Sequence, residues 1–171
     1  IEKKFFAAAE NMTEELSGTL PDHPPLLSTL AKYALEAEEP EKAQQLALRA
    51  LDVCGEEDIA APAVLSEVFL SLDLFEEAIQ AAKSTLTMHP DHQKTLVTLA
   101  QAEDEVGDHD HAVEHAQLAV LFQPQEVPLR RQFATYLEHA QEWEEALQER
   151  SSVLAELQGD SEGKSTFTPT L

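Results

Sequence analysis

Little in this chain invites covalent or redox chemistry. Cys54 is its one cysteine, so an intrachain disulfide and a cysteine-based zinc site are both excluded. A lone thiol fits a reducing compartment such as the cytoplasm, and it is equally compatible with a periplasm. Positive charge is scarce: 11 Lys and Arg stand against 33 Asp and Glu, a net charge of −22. That balance argues against nucleic acid and anionic lipid as ligands, because phosphate binding needs clustered Lys and Arg. No apolar run approaches the roughly 18 residues that suggest a membrane span. With only five glycines there is no Gly-rich phosphate loop. No Ser sits in a Gly-x-Ser-x-Gly elbow or beside a His with an orienting acid. Aromatics make up 6% of the chain, too few to wall a sugar-binding cleft around paired carboxylates. These absences point away from an enzyme and name no cofactor. The start, Ile1-Glu2-Lys3-Lys4, has neither an initiator Met nor a leader pattern, and it reads as a cut from a longer protein.

What is present is apolar and periodic. The 171 residues, 43% of them hydrophobic, suffice for one packed domain. Ala43, Ala78, Ala112 and Ala146 follow one another at intervals of 35, 34 and 34 residues. Leu30, Leu65, Leu99 and Phe133 keep the same steps, as do Ala47, Ala82, Ala116 and Arg150. Within a copy the spacing is helical: Ala112, Ala116 and Ala119 share one helix face. Pro40, Pro62 and Pro128 fall near helix starts. Asp91 and Asp108 stand where N-cap residues belong, and no stretch alternates with period two long enough for a strand. Each copy is therefore expected to be a helix–turn–helix hairpin. Alanines let its helices approach closely, and Phe69, Phe75 and Trp143 fill the wider gaps. A hairpin cannot bury its apolar face alone, so the copies should stack into an all-α solenoid.

A 34-residue helical hairpin carrying Leu, Gly, Ala and Pro at these places resembles the tetratricopeptide repeat family. Leu65, Phe69, Ala78 and Pro90 carry the pattern in one copy; Leu99, Gly107, Ala112, Ala119 and Pro124 carry it in the next. The repeats fall at 24–57, 59–92, 93–126 and 127–158, with Asp58 inserted between the first two. Residues 1–23 read either as half of an earlier repeat or as a capping helix. Residues 159–171 read as an extended tail. Glu103, where the pattern has Tyr, and Arg150, where it has a small or aromatic residue, depart from the family.

The resemblance implies a concave groove lined by the first helices of the repeats, holding a peptide or helix of a partner protein. Carried over by position, its residues are Lys32 and Leu35; Glu67 and Leu70; Lys94, Val97, Gln101 and Asp104; and Arg131, Thr135 and Glu138. The Lys/Asn set with which some members clamp a C-terminal carboxylate is missing in either frame. Acidic residues among the shallow apolar sockets point to a partner with apolar anchors and basic character. Two alternatives remain. One is self-association, through repeat stacking or the tail of another copy. The other is metal binding by His109, His111 and His115, of which His111 and His115 lie four residues apart on one helix. A solvated outer face is the simpler reading of these histidines, and no metal ligand is assigned.

Overall fold

The computed structural model describes residues 22–55, 58 and 60–164, with side chains as far as Gln158. The proposed N-terminal half repeat or cap lies almost wholly outside them. The described residues form eight helices and no strand: α1 (Pro24–Glu36), α2 (Pro40–Val53), α3 (Ala60–Ser71), α4 (Phe75–Met88), α5 (Gln93–Glu105), α6 (His109–Phe122), α7 (Val127–His139) and α8 (Trp143–Lys164). They pair as four hairpins, α1/α2 to α7/α8, each stacked on the next. The architecture is the all-α solenoid that the spacing predicts.

The alanine columns make this stacking possible. Ala43, Ala78 and Ala112 are fully buried and Ala146 is 2% exposed. A methyl at these sites lets the two helices of a hairpin close on each other. Leu27, Leu65, Val68 and Phe69 fill the core of the first two hairpins, while Ala112, Ala116, Tyr136 and Leu137 gather in the core of the last two.

The turn inside each hairpin is also repeated. Glu38, Asp73, Gly107 and Gln141 all have positive φ, between 58° and 84°, and they lie at the repeat interval. Each is followed by an N–H that reaches back five positions: Glu39 to the Ala34 carbonyl, Leu74 to Phe69, Asp108 to Glu103 and Glu142 to Leu137, at 2.8–2.9 Å. This is a Schellman closure, which satisfies carbonyls that a helix end leaves open. A left-handed residue other than Gly costs roughly 1–2 kcal/mol. Three of the four turns bear that cost, so the closure is strong enough to impose the conformation without glycine.

Several local expectations are corrected. The N-cap of α5 is His92, not Asp91; its Nδ1 accepts the Thr95 N–H at 3.3 Å. Asp108 occupies the N-cap of α6, but its carboxylate accepts from His111 Nδ1 at 2.8 Å instead of capping the helix. Trp143 does not fill a gap: it is 62% exposed, because no described helix follows α8 to cover it. Residues 159–164 are not extended, since α8 continues through them to Lys164. Propagating a helix costs far less than starting one, and α8 is already anchored at Glu149 and Glu156 upstream. The rest of the tail, from residue 165, lies outside the described residues.

Candidate binding groove

The two helices of a hairpin are not equivalent in the array. First helices pack directly on each other, α1 on α3, α3 on α5 and α5 on α7. Second helices pack on their own partner and on the next first helix, with no substantial packing of one second helix on another among the described residues. A row whose members touch lies on the inside of a bend, so α1, α3, α5 and α7 form the inner wall. Their mutual packing is closest between α1 and α3 and loosest between α5 and α7.

The groove residues named from sequence all lie on these four helices. Glu67 sits between two lysines: Lys32 Nζ is 3.4 Å and Lys94 Nζ 2.7 Å from its Oε2. This Lys–Glu–Lys line links α1, α3 and α5, so both lysines are engaged within the wall. Leu35 lines a hollow of about 180 Å³ with Lys32, Glu36, Glu67, Val68 and Ser71. Leu70 lies against the core of the first two hairpins. Val97 lies against Leu96, Ala119 and Leu129, and Gln101 is half-buried. Arg131 is exposed and makes no ion pair among the described residues. Thr135 accepts from Arg150 Nη2 at 3.4 Å, and Glu138 accepts from Arg150 Nε at 2.6 Å. The Arg150 hydrogen bond holds the Glu138 carboxyl below its ordinary range. The outlier in the alanine column is thus an exposed cation tied to the inner helix of its own hairpin.

The histidines separate into three environments. His111 is exposed on α6 and bonded to Asp108, which raises the imidazole pKa and lowers that of the carboxyl. His115 is not on the outer face: its Nδ1 is 2.6 Å from Oε2 of Glu103, whose side chain is 1% exposed. His111 and His115 therefore face different carboxylates and do not converge. His109 joins Asp104 instead, Nδ1 to Oδ1 at 2.8 Å, and His139 reaches the same carboxylate at 2.8 Å. Cys54 is no activated nucleophile, since burial, followed by Asp58, pushes its thiol pKa up.

Three elements were missed by sequence reasoning. Glu103, read only as a departure from the family, is a buried carboxylate with Lys83 Nζ 3.3 Å from its other oxygen; that oxygen has no partner in hydrogen-bond geometry. Arg130, 7% exposed, donates to Glu149, Glu156 and Ser152 and so ties α7 to two turns of α8. His139 completes the Asp104 cluster. A signal for it was available: Asp104 and His139 are 35 residues apart, within one residue of the repeat interval.

No family model matches the chain, and no curated protein matches its sequence. Solved structures match its fold. MamA designated AMB-1 superposes with a TM-score of 0.80 at 17% identity, over 92% of this chain and 93% of that one. MamA designated MSR-1 gives 0.79 at 19%, over 94% and 91%. MamA 41-end from Desulfovibrio magneticus RS-1 gives 0.77 at 15%, over 95% and 88%. At such identities the likeness is one of fold: an all-helical repeat array resembling MamA.

Proposed function

We propose that this chain is a non-catalytic scaffold that seats a peptide or helix of a partner protein along its inner wall. The observation that carries this reading is the hollow between α1 and α3, where apolar Leu35 and Val68 lie beside Glu36, Glu67 and Ser71. Helices present no free backbone edge, so a ligand here is held by its side chains: an apolar anchor in the hollow and a cationic group toward Glu36, since Glu67 is paired with Lys32 and Lys94. The excess of 33 acidic over 11 basic residues speeds encounter with a basic partner, and salt weakens that effect. A peptide-display screen against the whole chain tests the reading. Enriched peptides are expected to combine Lys or Arg with spaced apolar residues. Glu36→Lys with Ser71→Lys should weaken them about tenfold, roughly 1.4 kcal/mol. The same charge change on α4, Glu76→Lys with Ser84→Lys, should cost less than half of that in free energy. Equal losses from both pairs would remove the groove from the proposal.

A second reading, self-association, has its own observation. Trp143, Leu147, Leu154 and Leu157 are exposed, and their spacing on α8 puts them on one side of the helix. In a stacked array that side meets the next first helix, so a second copy would cover it. Light scattering is expected to find a mass that grows with concentration and returns to the monomer in Leu147→Glu with Leu154→Glu. A monomer at every concentration ends this reading.

A further inference from the structure

We infer that Asp104, His109 and His139 form a binding site for a divalent cation of the zinc class, placed across the loosest joint of the inner wall. The three side chains come from three helices: Asp104 is the penultimate residue of α5, His109 the first of α6 and His139 the last of α7. One ligand atom from each lies within 4.8 Å of the others. The rings of His109 and His139 stand edge to face, with centroids 5.5 Å apart, which turns both Nδ1 atoms toward one carboxylate at 2.8 Å. A tetrahedral ion bound at 2.0–2.2 Å needs donors roughly 3.3 Å apart, so each Nδ1–carboxylate pair, now at 2.8 Å, has to open by about half an ångström, within reach of rotation about the side-chain bonds. Two imidazoles and one carboxylate suit zinc, cobalt or nickel better than calcium or magnesium, which take oxygen ligands.

The environment favours a cation. Asp104 is only 12% exposed, while His109 and His139 are 37% and 46% exposed, so an ion enters from solvent onto an anchored carboxylate. Binding needs both Nδ1 lone pairs, so in the bound state each ring carries its proton on Nε2. Three protein ligands leave a fourth position for water. Among the described residues the Asp104–His139 bonds are the polar tie between α5 and α7, the pair of inner helices that touches least. An ion here fixes the spacing of the third and fourth hairpins.

Calorimetric titration of the whole chain with zinc chloride tests this. One ion per chain is expected, with a visible cobalt band of tetrahedral type when cobalt replaces zinc. His139→Ala, which removes an exposed ring and should leave the far-ultraviolet circular dichroism unchanged, is expected to weaken binding at least about tenfold. Asp104→Asn should do the same. His111→Ala, outside the cluster, should bind as the parent does. Absence of zinc heat in the parent overturns the inference, and so does binding that survives His139→Ala unchanged.

Discussion

His115→Leu is expected to destabilise the protein by about 3 kcal/mol, whereas Glu103→Leu is expected to be neutral or stabilising. The asymmetry follows from which partner is buried. The Glu103 side chain is 1% exposed, against 22% for His115 and 56% for Lys83. Removing His115 leaves a carboxylate inside the array with only Lys83 near it, and Lys83 makes no hydrogen bond to it. Removing Glu103 returns two partly exposed side chains to water and places apolar volume in an apolar site. In a chain of this size each kcal/mol moves the midpoint by about 2–4 °C, so His115→Leu should lower Tm by roughly 6–12 °C. Thermal unfolding of both variants decides the matter. Equal losses would mean that the pair acts as a unit and that Glu103 is not the group at risk.

The second large effect is expected at Arg130. Its guanidinium serves three acceptors on α8, with Nη1 2.6 Å from Glu156 Oε1, Nη2 2.9 Å from Ser152 Oγ and Nε on Glu149. The hydrogen bonds to Glu149 and Glu156 raise the pKa of Arg130 further, so it stays charged. Arg130→Met removes these bonds and leaves two like charges facing an apolar side chain, a loss of about 3 kcal/mol. Arg130→Lys should recover little of it, because a single ammonium cannot match a planar fork spread over two helical turns. The loss is expected to be local, since a solenoid couples each hairpin mainly to its neighbours. Hydrogen exchange should show α8 deprotected while α1 to α5 keep their protection. Unchanged α8 protection would show that packing of Ala146 and Val153, not the arginine, holds the helix.

The fold was legible because its signal is repeated. Ala43, Ala78, Ala112 and Ala146 are separated by one period, and each occupies the same buried niche. The inner-wall residues could be placed on the right helices for the same reason. What escaped was not periodic. Glu103 meets Lys83 of the preceding hairpin and His115 of its own at separations of 20 and 12 residues, contacts that depend on how the helices rotate about their axes and not on the repeat itself. Arg130 resembles an ordinary surface cation beside Arg131, and only the phase of α7 distinguishes the buried residue from the exposed one. The composition of residues 159–164 reads as a linker, yet a helix already under way overrides it. Trp143 was assigned to the interior because an aromatic is usually covered, a rule that fails where the described stack ends.

The uneven closeness of α1, α3, α5 and α7 is expected to give the inner wall a graded stiffness. Its first joints form a firm floor and its last joint a compliant flap. A long guest would have to set the angle of that flap, and a short guest would not. Discrimination by length can therefore arise from bending alone, before any side chain of the guest is read.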